Sequence, residues 1–193
     1  MHDWPSVLED IEAAGFAESD PLPVEGIDDL GVAAAGDVSG TASVGLPWGQ
    51  LNDEGFERVL YDLLRAFPDH HNVQWLTKTN APDRGRDLSL ERELSTPTGE
   101  TVFERVMVQA KHWQSRSIPP DEIAKVVAQA ELWKPPFHVV IIATSGRFTN
   151  DAVDWADTRR ARGERPDVQL WGEADLERLL SRHPGIAAAH GLR

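Results

Sequence analysis

The sequence predicts a mixed α/β domain, a central sheet with helices laid against it, and three features carry that expectation. From Asn52 to about Phe67, apolar residues recur at i, i+3, i+4 and i+7 (Phe56, Val59, Leu60, Leu63, Leu64, Phe67), which is one face of a helix. Asp87-Leu88-Ser89-Leu90-Glu91 and Val106 to Trp113 alternate with period two, as strands do. Phe137 to Ala143 is almost wholly apolar, as a strand covered on both faces requires. The expected order is helix, three strands, helix, strand, helix, strand, helix.

Residues 1–45 read as a separate acidic arm and residues 46–193 as the domain. Asp3 and Pro5 can start a short amphipathic helix over residues 5–16, with Leu8, Ile11 and Phe16 on one side. Ala17 to Gly45 is acidic, small and rich in Pro and Gly, the composition of a linker or loosely docked tail. Leu46-Pro47-Trp48 marks entry into the domain, and Pro68 closes its first helix. Val73 to Leu76 reads as a strand, and Asn80 to Arg86 as the turn into Asp87. Ser95-Thr96-Pro97-Thr98-Gly99 is a hairpin turn, so the Asp87 and Lys111 strands are expected to be antiparallel neighbours.

Pro119-Pro120 opens the second helix, with Ile123, Val126, Val127 and Ala130 inward as far as about Trp133, and Pro135-Pro136 ends it. After the buried strand, a helix starts near Thr149 under a Ser or Thr cap. Val168 to Trp171 is the last strand, and Leu176, Leu179 and Leu180 form the inner side of a closing helix.

The chain of 193 residues has no cysteine, which excludes a disulfide framework and thiolate metal sites. No apolar run approaches the ~20 residues that span a bilayer. The start, Met1-His2-Asp3-Trp4-Pro5, lacks the basic flank and apolar stretch of a signal peptide, so a bacterial-type cytoplasm is the expected compartment. The formal charge of −13 is concentrated at one end: residues 1–50 hold ten of the 32 acids and none of the 19 bases. The remainder, 22 acids against 19 bases, is near neutral and can segregate charge over its surface.

The chemistry gathers on the strand that ends Val108-Gln109-Ala110-Lys111. Alternation puts Gln109 and Lys111 on one face, about 6.6 Å apart. If the two strands pair, Asp87 meets both. A carboxylate and an amide oxygen suit a hard cation such as Mg²⁺, and a lysine beside them can orient or help deprotonate water for phosphodiester hydrolysis. Gln109 gives the ion one negative charge fewer than an acid would. Glu57, about 90° from the centre of the first helix's apolar stripe, is a border carboxylate able to help.

These residues resemble the Mrr-like branch of the restriction-endonuclease superfamily, whose general signature is PD-(D/E)xK. The resemblance rests on Asp83-x-Gly-x-Asp87, on Gln109-x-Lys111 followed by His112-Trp113, on Phe56-Glu57, and on Ala143-Thr144-Ser145-Gly146 followed by Phe148-Thr149 and Ala152. It covers roughly residues 46 to 183. It implies a restriction-endonuclease-like core and a metal-dependent DNA endonuclease serving restriction or antiviral defence. Asp87 and Gln109, with Glu57, would hold Mg²⁺ (Mn²⁺ as a substitute), and Lys111 would position or activate the water. Asp83 reads as a loop or outer hydrogen-bonding residue.

DNA contacts fall on Lys111, His112, Ser145 and Arg147, the last two in a turn at a strand's carboxyl end. For that turn a plain cap is the equal alternative. Arg159, Arg160, Arg162 and Arg165 could meet a nucleic-acid backbone or simply offset Asp151, Asp154 and Asp157. No DNA-reading module is visible, so target choice is expected from a homodimer mate, a recognition partner or a missing portion of a larger protein. Two rivals stand beside the endonuclease: a catalytically silent domain binding nucleic acid or protein, and a junction-resolving nuclease.

Overall fold

A computed structural model describes residues 45–75 and 86–192 of the chain, and within them the first apolar stripe folds as α1 (Asp53–Arg65). Asn52 caps it, its side-chain oxygen accepting the Gly55 N–H at 2.7 Å. The stripe is buried as expected, with Phe56, Val59, Leu60, Leu63 and Leu64 sealed from water. The expected helix over residues 5–16, the arm up to residue 44 and Asp83 lie outside the described residues.

Three antiparallel strands follow, β1 (His70–Trp75), β2 (Leu88–Ser95) and β3 (Thr101–Lys111). Gly99, at φ +83°, makes the β2–β3 hairpin turn. Then α2 (Pro120–Glu131), β4 (Val139–Thr144), α3 (Asn150–Ala161) and β5 (Asp167–Trp171) build two crossovers, which place β4 parallel to β3 and β5 parallel to β4. The five-stranded sheet runs β1-β2-β3-β4-β5, the order of the chain itself. Helices α4 (Glu173–Ser181) and α5 (Pro184–Ala189) close the fold.

Each face of the sheet has its own core. On one side α1, α4 and α5 cover Leu88, Val106, Val108 and Ile141; on the other α2 and α3 cover Met107, Val140, Ile142 and Val168. All six residues of β4 are buried, which accounts for its continuous apolar text. Alternation along β3 sends Val106 and Val108 to the α1 side, and hence Gln109 and Lys111, in phase with Met107, to the α2 side.

Several boundaries, and one helix, differ from the sequence expectation. β1 begins at His70 instead of Val73, because its register slips between His71 and Gln74 around Asn72, at φ +51°. That bulge breaks the period-two text. Asp87 stands one residue before β2, although its N–H still bonds Val108 O at 3.2 Å. His112 and Trp113 lie past the end of β3. α5 was not foreseen, since Pro-Gly-Ile-Ala-Ala-Ala carries no amphipathic period; Ala187 alone is buried within it.

Candidate active site

Asp87 and Gln109 meet where the β2–β3 ladder ends. Asp87 Oδ2 accepts the Ala110 backbone N–H at 2.7 Å and the Gln109 side-chain N–H at 2.5 Å. The carboxylate thus takes the place of a strand carbonyl as the backbone of β2 turns away, and two N–H donors fix its direction. Gln109 gives a second, longer bond to Ala110 O at 3.3 Å. Leu88 pairs with Val108 in the antiparallel register, and this brings the residue before Leu88 opposite Gln109.

Lys111 emerges two residues later on the same side. Its ammonium lies 3.3 Å from Glu122 Oε2 and 4.7 Å from the centre of the Trp113 ring. It is well shielded, with only 16 % of the side chain exposed. Glu122, in the first turn of α2, accepts the Lys125 ammonium on its other oxygen at 2.8 Å. Lys125 first, and Lys111 after it, hold the Glu122 carboxyl below the usual carboxylate range. Glu122 was missed from the sequence. The signal was there: the right-handed crossover after β3 must bring the first turn of the next helix back over the strand's end.

His112 turns inward. Its Nε2–H donates to Leu51 O at 3.0 Å, Nδ1 meets Ser145 Oγ at 2.7 Å, and the ring stacks on Phe56 at 5.3 Å. Of the residues expected to contact nucleic acid, His112 and Ser145 are therefore joined to each other, and Ser145 is buried. Arg147 is 83 % exposed, 4.0 Å from Glu173. Gly146 lies between them so close to Trp113 that an added Cβ would sit 1.9 Å from the Trp113 carbonyl oxygen.

Glu57 is tied elsewhere. Its carboxylate accepts the Trp75 indole N–H at 2.9 Å on the α1 side of the sheet, and Trp75 pairs with Leu88, the neighbour of Asp87. The arginine cluster is largely neutralised: Arg159 meets Glu164 at 2.8 Å, Arg160 meets Asp157 at 2.9 Å, and Arg162 meets Glu164 at 3.7 Å.

The donor set decides which cation fits. Among the described residues no three His, Cys, Asp or Glu side chains gather as a cage. Asp87 and Gln109 are near enough to share one ion, and turning the Gln109 amide would present its oxygen instead of its nitrogen. One carboxylate and one amide oxygen suit Mg²⁺, which keeps waters and takes remaining ligands from a substrate phosphate. They do not suit zinc, which wants nitrogen or sulfur donors.

The family model Mrr_cat, restriction endonuclease, matches residues 49–180. No curated protein matches the chain. Among solved structures the chain is similar to "DNA modification-dependent restriction endonuclease AspBHI", with a TM-score of 0.49 and 16 % identity over 72 % of this chain and 36 % of that one. The chain spans about a third of that enzyme's length. No helix among the described residues is long and apolar enough to cross a membrane. The family match runs from the turn before α1 into α4 and takes in every strand of the sheet, with Asp87, Gln109 and Lys111 inside it, and the chain belongs to the Mrr-type restriction endonuclease family.

Proposed function

We propose that this chain is a Mg²⁺-dependent DNA endonuclease acting in restriction or antiviral defence in the cytoplasm, with Mn²⁺ able to replace Mg²⁺. The observation that carries the proposal is the contact of Asp87 with Gln109 at the strand end, with Lys111 next on the same face. Asp87 and Gln109 would hold the ion. When bound, it supplies positive charge to the phosphate oxygens and acidifies water.

Lys111 does the rest. Its ammonium faces the same side as Gln109, where it can orient water in line with the leaving oxygen. A bond then forms from water oxygen to phosphorus as the phosphorus bond to the sugar oxygen breaks, the attacking water losing a proton to solvent and the leaving sugar oxygen taking one from solvent. Glu122 and Trp113 restrict where that ammonium can go. Glu57 would act from the other face, holding Trp75 and through it the strand position beside Asp87.

Incubating the purified chain with plasmid and Mg²⁺ or Mn²⁺ tests this. Cleavage is expected to fall about a hundredfold or more in Lys111→Ala and in Asp87→Ala. Cutting that persists unchanged in both variants would falsify the assignment.

A second reading has its own support. Gln109 offers Asp87 a nitrogen and Lys111 is occupied by Glu122, the arrangement expected of a silent domain that binds nucleic acid without cutting it. DNA binding with no cleavage under either metal would favour it. We further propose that target choice lies with a second copy, a recognition partner or a further domain; residues 1–45 are either a solubilising tether or an anionic arm that restrains DNA binding through its charge.

A further inference from the structure

Two guanidinium groups stand on the α2 side of the sheet that neither the cleavage chemistry nor the core uses. Arg86, the residue before Asp87, lies over the Trp133 ring at 4.2 Å, and Arg105 of β3 lies over Phe137 at 4.7 Å. The two rings meet edge to face at 6.3 Å. Both arginines line one cavity of about 170 Å³, with Asn72, Gln74 and Ser89 in its wall. Glu91 also lines it, but its carboxylate is engaged by Asn72 Nδ2 at 2.6 Å. Arg105 shares position parity with Gln109 and Lys111, so the cavity opens on the face of the candidate active site.

Like Arg65, Arg116, Arg165 and Arg182 among the described residues, the pair has no ion-pair partner, and it adds to that two guanidinium groups lining one cavity. Arg92, Arg159, Arg160 and Arg178 each meet an acid, whereas among the described residues neither Arg86 nor Arg105 is in an ion pair. Arg105 gives Nη1 to the carbonyls of Pro135 and Pro136. Arg86 Nε is shielded from water with no hydrogen-bond partner. Burial, and then the Arg105 charge, hold the Arg86 guanidinium below its usual value.

Two adjacent cations against a single cavity-lining carboxylate, Glu91, keep a net positive charge that an incoming anion would relieve. Guanidinium planes seated on aromatic rings turn their N–H edges away from the ring, and the edges other than Arg105 Nη1, held by Pro135 and Pro136, and the shielded Arg86 Nε can grip oxygens in the plane, the geometry that suits phosphate. The cavity, about 170 Å³ and open to solvent, has room for one oxyanion.

We propose that Arg86 and Arg105 form an anion site for a phosphate of the nucleic-acid strand that is not the one cleaved, holding the strand in register beside Asp87. The strand as owner of that phosphate rests on the nuclease reading; the anion site does not. Titrating the full chain with inorganic phosphate, while following arginine Nε–H signals by NMR, is expected to shift the Arg86 and Arg105 signals saturably.

In metal-free buffer with a short duplex, Arg86→Gln combined with Arg105→Gln should weaken affinity about tenfold. It should also make the slope of log K against log salt shallower by about one, while Arg178→Gln changes neither. Arg86 and Arg105 signals indifferent to phosphate, together with an unchanged salt slope in the double variant, overturn the proposal. A phosphate response at Arg86 in a chain that binds no duplex keeps the anion site and overturns the nuclease reading instead.

Discussion

Lys111 has two neighbours that pull in different ways: Glu122 on α2 holds its ammonium in place, while the Trp113 ring offers a softer contact that leaves its N–H bonds available. Removing the acid should therefore loosen the ammonium without unfolding the helix. Glu122→Gln is expected to lower turnover about tenfold, with stability changed by less than about 1 kcal/mol, readable from cleavage kinetics beside a denaturant titration. Glu122→Asp, which keeps the charge, should recover part of the loss.

His70 supplies a different residue-scale expectation. Its Nδ1–H donates to Leu64 O at 3.0 Å, yet burial dominates and lowers its pKa below 6.5. The unfolded chain therefore binds the proton more readily. Stability from the neutral ring is complete above pH 6.5 and is lost as the pH falls from there through the folded-state value. Unfolding midpoints measured against pH should show this limb, and His70→Gln should flatten it.

At this scale the sequence was readable where chemistry and alternation coincide. Gln109 and Lys111 had to share a face, and the hairpin turn had to bring Asp87 beside Gln109, whereas Lys111 pairs with Glu122. The partners of His112 depend on where loops fold back, which no period encodes, whereas Glu122 had to be read from the crossover that follows β3. Glu57 was rightly placed at the border of its helix, but an indole N–H reachable only in the folded sheet decided its partner.

At the scale of elements, the loops after β3 and β4 are locked together. Ile118 N–H bonds Arg147 O at 2.8 Å, Thr149 N–H bonds Ile118 O at 3.0 Å, and Gly146 abuts Trp113. Since the obstacle to a Cβ there is backbone, Gly146→Ala has to move one loop off the other. It is expected to cost about 1–3 kcal/mol in urea unfolding and to reduce cleavage, because Trp113 flanks Lys111. Thr149→Ala removes the α3 cap, whose hydroxyl accepts the Ala152 N–H at 3.1 Å, and should cost about 1 kcal/mol while leaving the site in place.

Elements with one clean signal were legible: α1 by its stripe and β4 by its unbroken apolar text. β1 was misjudged at its start because the bulge at Asn72 shifts which residues face inward. α3 gave little amphipathic signal, since it packs through the small Ala152 and Ala156, and its cap was the better marker.

For the whole molecule, charge is the feature with the widest reach. The acids crowded into residues 1–50 oppose any polyanion, while the domain beyond is close to neutral. If the charge of the arm restrains DNA binding, deleting residues 1–45 should raise duplex affinity several-fold at low salt, with the gain fading as salt shortens the Debye length to about 8 Å. Anisotropy at two ionic strengths would register it, and equal affinity with and without the arm would remove the idea.

The arrangement of strands carries a consequence for how the chain reaches this state. Because every strand pairs with the next one along the text, no late segment must wedge between two earlier partners. A nascent chain released from the ribosome only as far as Lys111 would already own Asp87, Gln109 and their ladder. It would still lack α2 and α3, whose apolar surfaces cover Met107. Such an intermediate would display a greasy sheet face to the cell, so slow translation just after Lys111 is where this protein would be most prone to stick to other chains.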